Sequence, residues 1–218
     1  MWPDWIQYFQ TLEQRPVERL SILVGGLLIF WIIEGAIPLF GLPYRKGKLT
    51  HAGVNFVFTI IHLVIHTFLA LFIVALSDWC KRAEFGIINW TQANTLSTIL
   101  IGVFALDFSS WLVHWVMHQQ KFLWRFHVIH HSDTKVDVTT GLRHHPGDSL
   151  LRGLFFLLLI FVSGAPMYSV MMYQTLVVVA TAFTHANIKI SKSLDFSLLF
   201  QLTQELTCFK LARTTRYL

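Results

Sequence analysis

The chain has 218 residues, 54% of them hydrophobic and only 13% charged, where an average soluble domain is about a quarter charged. That composition excludes an ordinary water-soluble fold and predicts an all-α integral membrane helical bundle, read as one membrane domain over residues 1–218. The formal net charge of +5 does not signal nucleic acid, because the basic residues are scattered over loops and tails, as membrane-flanking positive charge is.

Taken in chain order, the N-terminus Met1-Trp2-Pro3-Asp4 lacks the basic stretch of a cleavable signal peptide, so none is expected. A membrane-crossing helix needs about 20 mostly apolar residues. Leu20 to Phe40 satisfies this and is closed by Pro38, Gly41 and Pro43. Its one acid, Glu34, is expected to pair inside the bundle. Val54 to Leu76 follows, carrying His62 and His66 at i, i+4. These are read as polar residues that hydrogen-bond between helices. Thr95 to Val116 is the third span. The fourth apolar region, Leu150 to Phe183, is too long for one simple span and is interrupted by Ser163-Gly164-Ala165-Pro166, so a helical hairpin is expected. Cys80 and Cys208 are too far apart to form a CxxC pair or a disulfide framework.

Charge counts favour the hairpin. It puts 13 of the 17 lysines and arginines on the side of the histidine-rich loop and 4 on the other, whereas a single crossing would divide them 8 and 9. The positive-inside rule then predicts three spans, a broken fourth region and a cytoplasmic histidine-rich cap.

Seven of the 11 histidines lie between His114 and His145. His114 and His118 stand at i, i+4, on one helical face. Asp107 lies two turns earlier on the same stripe and suits a carboxylate that fixes a histidine tautomer. His127, His130 and His131 follow at i, i+3 and i+4 among Trp124, Phe126, Val128 and Ile129, a segment expected to lie at the membrane surface. Asp133 and Asp137 could orient these imidazoles or be solvated loop charges. Imidazole is the commonest metal ligand, and these clusters exceed the three or four ligands of one zinc. Two adjacent metals fit the count better, and nitrogen-rich ligation also suits iron.

The string Asp107-Phe108-x-x-Trp111-Leu112-x-His114-x-x-x-His118, then Leu123-Trp124-Arg125-Phe126-His127-Val128-Ile129-His130-His131-Ser132-Asp133, resembles the fatty acid hydroxylase / sterol desaturase superfamily. The likeness continues through Asp137-Val138-Thr139-Thr140-Gly141-Leu142-Arg143-His144-His145-Pro146 to His185-Ala186-Asn187, so the motif-bearing region is 107–187. The resemblance implies a membrane di-iron oxygenase that uses dioxygen and two electrons to hydroxylate or desaturate a C–H bond of a lipid or sterol-like substrate. Carried over by position, His114, His118, His127, His130 and His131 would bind iron, and His145 and His185 match further histidines of the pattern. His144 falls at a variable position and reads as a neighbour. Asp148 stands where a glutamate is usual.

The pattern also calls for a third histidine box after a lead-in that resembles Leu202-Thr203-Gln204-Glu205-Leu206. The box positions are here Thr207, Lys210 and Leu211, and no histidine follows His185. The alternative expectation is therefore a truncated or degenerate member that binds metal but is catalytically weak or inactive. No GxGxxG fingerprint is present, so electrons would come from a separate electron-transfer protein.

Overall fold

The computed structural model describes residues 4–39, 41 and 47–188. Those residues form eight α-helices and two short 3-10 turns, with no strand among them. The helices are α1 (Asp4–Thr11), α2 (Pro16–Ala36), α3 (Lys48–Arg82), α4 (Ile87–Trp90), α5 (Thr95–Gln119), α6 (Lys121–His131), α7 (Pro146–Ser163) and α8 (Met167–His185). Five of them (α2, α3, α5, α7 and α8) are long and apolar enough to cross a membrane. Leu28 and Ile32 of α2, Phe68 and Leu71 of α3, Phe104 of α5 and Leu154 of α7 are exposed. Such a surface suits lipid, whose tails solvate it, and would be an aggregation liability in water.

The expected break in the fourth region is present. Helix α7 ends at Ser163, Gly164 adopts the left-handed conformation (φ 72°), and Pro166 leads into α8. A left-handed glycine past the last turn followed by proline is a strong helix stop. The turn is seated on the α3–α4 connection. Gly86 (φ 102°) lies so close that a Cβ there would meet the Gly164 backbone. Beside it, the Ser77 hydroxyl donates to the Ala165 carbonyl at 2.9 Å.

Helix boundaries depart from the apolar stretches where polar residues find protein partners. Helix α3 begins at Lys48 rather than Val54 and runs to Arg82 rather than Leu76. Its 35 residues measure about 50 Å at 1.5 Å per residue, well beyond a hydrocarbon core of about 30 Å. The added turns carry His51 to the loop after α6, next to Asn55 at the start of the expected span. There the Asn55 amide, fully buried, donates to Thr139 Oγ1 at 2.9 Å. Helix α5 starts at Thr95 as expected because the Asn94 side chain accepts from the Ser97 N–H at 3.0 Å, an N-cap.

Alternating helix direction gathers the ends of α2, α5 and α8 and the starts of α3, α6 and α7 at one pole, with the histidines. The opposite pole is closed by an apolar cluster that includes Leu12, Ile73, Ile88, Ile160, Ala165 and Met171. Helix α5 is central, packing on α6, α7 and α8, while α3 packs on α7 and α2 on α8.

Replacing Gly86 or Gly164 by alanine combines a left-handed φ with a backbone collision. Either change is expected to lower the stability of the purified protein by about 1–3 kcal/mol, read as a fall in thermal midpoint in detergent. Gly25→Ala, where a Cβ meets nothing within 4 Å, is the control and should leave the midpoint in place.

Candidate metal centre

Two helices that follow one another directly build the densest part of the site. The extended residue Gln120 redirects the chain between α5 and α6, so the i, i+4 pair His114/His118 meets the i, i+4 pair His127/His131. Their ligand nitrogens lie within 4.8 Å of one another. The His114 and His118 Nε2 atoms are 3.1 Å apart, and so are those of His127 and His131. With metal–nitrogen bonds of about 2.0–2.1 Å, neighbouring ligand nitrogens around one ion sit roughly 3.0–3.4 Å apart, so the donor set fits a transition metal. His114, His118 and His127 are buried and His131 lies at the rim. Val113 and Met117, the neighbours of His114 and His118 in sequence, are buried apolar residues of α5. Trp124 covers the group, stacked on His131 at 5.5 Å and tilted on His118 at 5.1 Å between ring centroids.

A buried carboxylate orients this group. Asp148, fully buried at the third position of α7, accepts from His127 Nδ1 at 2.8 Å. A carboxylate oxygen only accepts, so His127 carries its hydrogen on Nδ1 and turns the Nε2 lone pair toward His114, His118 and His131. Arg152, one turn along α7, donates to the other Asp148 oxygen at 2.6 Å and balances the charge. The first turn of a helix also favours an anion. Asp107 lies two turns below His114, within electrostatic reach of the Tyr173 hydroxyl, which is paired with Ser110 Oγ at 2.7 Å. For His127 the tautomer-fixing bond is made by Asp148, a residue the sequence reading did not assign to that task. The signal available was Asp148 just after Pro146 at a helix start and four residues before Arg152.

A second grouping adjoins the first. His130 Nε2 is 3.4 Å from His185 Nε2. The Thr181 carbonyl accepts from His185 Nδ1 at 2.9 Å, which leaves the His185 Nε2 lone pair facing His130. His144 stacks on His130 with ring planes 6° apart and centroids at 5.1 Å, and its Nδ1 is 3.5 Å from the same Asp148 oxygen. Its ring also approaches His62, which pairs with Ser149 Oγ at 2.9 Å across α3 and α7 and stacks on His66. His62 thus makes the interhelical bond expected of it.

His145 is not brought into the four-histidine group. It is the N-cap of α7: its Nδ1 accepts from the Gly147 N–H at 3.0 Å, and its ring stacks on Phe126. A neutral His145 therefore carries its hydrogen on Nε2, the opposite tautomer to His127 and His185. Asp133 and Asp137 organise the loop that returns to this cap. Asp133 accepts from Thr140 Oγ1 at 2.8 Å, Asp137 accepts from the Thr139 N–H at 2.8 Å, and both face His51 at 3.4 and 3.6 Å. Arg143 ties the loop to the end of α6 by donating to the Ile129 carbonyl at 3.0 Å and to Ser132 Oγ at 3.1 Å.

The imidazoles of α6 are held neutral. Burial, then the neighbouring His144 and His185, keep His130 well below the usual imidazole range. Burial also lowers His127, against the opposing pull of its bond to Asp148. Neutral imidazole is the ligating form. The third-box positions Thr207, Lys210 and Leu211 lie outside the described residues.

A family model described as fatty acid hydroxylase matches residues 99–207, half of the chain, from within α5 past His185. No curated protein and no solved structure matches the chain. With a family model covering that span and the histidines of α5 and α6 converging inside it, the chain belongs to the fatty acid hydroxylase family.

Proposed function

We propose that this membrane protein is an oxygen-dependent di-iron oxidoreductase that hydroxylates or desaturates a C–H bond of a lipid or sterol-like substrate. Its histidine pole faces the cytoplasm and receives electrons from a separate electron-transfer protein. The observation that carries the reading is the convergence of His114, His118, His127 and His131 within 4.8 Å, inside the segment matched by the family. These four would hold one iron, and His130 with His185 would contribute to a second. The orientation rests on the excess of lysine and arginine at the histidine pole.

Iron bound here would supply the reduction of dioxygen. Hydroxylation puts one oxygen atom into the new C–O bond and reduces the other to water, with two electrons from the donor and two protons. The residues of the chain perform the supporting tasks. Asp148 holds His127 in the ligating tautomer, and Thr181 does the same for His185. Trp124 shields the rim by lying against His118 and His131. The apolar helix surfaces let a bilayer-borne substrate approach sideways.

The test uses the purified chain in liposomes with ferrous iron, dioxygen and a chemical reductant. The expected result is two irons per chain and lipid oxidation that needs both dioxygen and reductant. Full activity of iron-free protein would overturn the reading. Asp148→Asn is expected to weaken iron binding by about 10- to 100-fold, read by equilibrium metal titration. His145→Asn keeps a good N-cap and is expected to keep the iron.

The pH response of the metal-free protein follows from the buried imidazoles. An unfolded chain protonates its histidines near pH ~6.5, while folded His130 and His127 stay neutral below that value. The unfolded state then binds more protons, so stability falls as pH drops below about 6.5. Thermal midpoints in detergent should decline from neutral pH toward about pH 5, with a shallower decline in His130→Phe.

A further inference from the structure

Helix α2 fully buries a single side chain, Glu34, which is 3% exposed; its apolar residues are half-buried, as Phe30 is against Phe183 of α8, or exposed. A carboxylate in that setting is expensive and marks a functional position. Both backbone bonds it accepts end on one oxygen, Oε2: Val138 N–H at 2.9 Å and Asn187 N–H at 3.1 Å. The other oxygen, Oε1, faces Lys48 Nζ at 3.4 Å. Val138 opens the 3-10 turn Val138–Leu142, which leads directly to Arg143, the His145 cap and Asp148. Asn187 lies two residues beyond His185, where Leu39 N–H also bonds the Asn187 carbonyl at 3.0 Å. One carboxylate thus fastens the loop from α6 to α7 and the exit of α8 to the same point on α2.

We infer that Glu34 is a positioning residue for the metal centre: by clamping the backbones at Val138 and Asn187 it holds His185 against His130 and so closes the second half of the site. This rests on the two-metal reading above. The four histidines of α5 and α6 do not depend on the clamp, because a direct turn joins their helices. Loss of Glu34 therefore separates the two halves. Glutamine can keep its side-chain oxygen at the Oε2 position and both backbone bonds, losing only the charge opposite Lys48, whose partly exposed side chain also lies over the Trp31 ring.

The test compares wild type, Glu34→Gln and Glu34→Leu in nanodiscs by cobalt(II) titration and by backbone hydrogen exchange. Cobalt(II) serves as a spectroscopic stand-in for iron. Expected for Glu34→Leu is retention of the first cobalt equivalent and about 10- to 100-fold weaker binding of the second. Exchange should quicken in peptides covering 138–142 and 185–188, with α5 and α7 unchanged. Glu34→Gln should bind both equivalents within a few-fold of wild type and keep the protection. A uniform loss of protection across the bundle in Glu34→Leu would reduce Glu34 to a general stabiliser and overturn the inference. Unchanged exchange at both segments would overturn it as well, whatever the cobalt count. Wild type binding one equivalent, with both segments still loosened in Glu34→Leu, would sink the two-metal reading and leave the clamp standing.

Discussion

Everything at the histidine pole depends on one buried carboxylate being fully partnered. An isolated carboxylate removed from water would take up a proton or unfold its surroundings. Asp148 avoids both by accepting from His127 and Arg152, with His144 close to the same oxygen. Once it is ionised, the hydrogen position on His127 is no longer free, and neither is the direction of its Nε2 lone pair. The metal-facing geometry is thus set by a helix that contributes no member of the four-histidine group. Removing the aspartate would release the ring that connects α6 to α7, and it would leave the half-buried Arg152 without its counter-charge.

The bundle divides its residues between two solvents. Along the spans, the exposed side chains are mostly apolar and several inward polar groups are paired, as Ser110 is with Tyr173 and Ser77 with the Ala165 carbonyl. At the histidine pole the helices run past the apolar stretch, and their polar ends become structural. The first turns of α3 supply His51 and Asn55 to the loop after α6, and the last turn of α2 supplies Glu34. The loop from Asp133 to Arg143 consequently has almost every polar group engaged, which is what a segment must achieve to be buried at all.

Much of this was legible in the sequence, for identifiable reasons. Lipid requires long apolar helices, so the spans and the break at Gly164-Ala165-Pro166 could be read directly. Spacing at i, i+4 forces two histidines onto one face, so both pairs of the four-histidine group were visible before any fold was known. Roles fixed by contacts between distant segments were hidden. Nothing local to Asp148 says that α7 crosses α6 at His127. Nothing local to His145 distinguishes a ring that faces a metal from one that caps the helix it precedes, and the cap is what it makes. The full length of α3 was missed for a related reason: hydropathy measures what lipid accepts and does not register polar turns that pack on protein.

The two halves of the site are held by different kinds of structure. The four-histidine group comes from two helices joined directly at Gln120, so its pairing is set by contacts close in sequence, with Asp148 of α7 fixing the His127 ring. The pairing of His130 with His185 joins residues 55 positions apart and forms only when α8 has returned across the bundle and its exit is fastened to α2. Local contacts form early and survive partial loosening, while distant ones carry the entropy of closing the whole intervening chain. The first half therefore depends on α5, α6 and the start of α7, and the second on the complete bundle. Motion in the helices around α5 and α6 is then felt first at the His130–His185 contact.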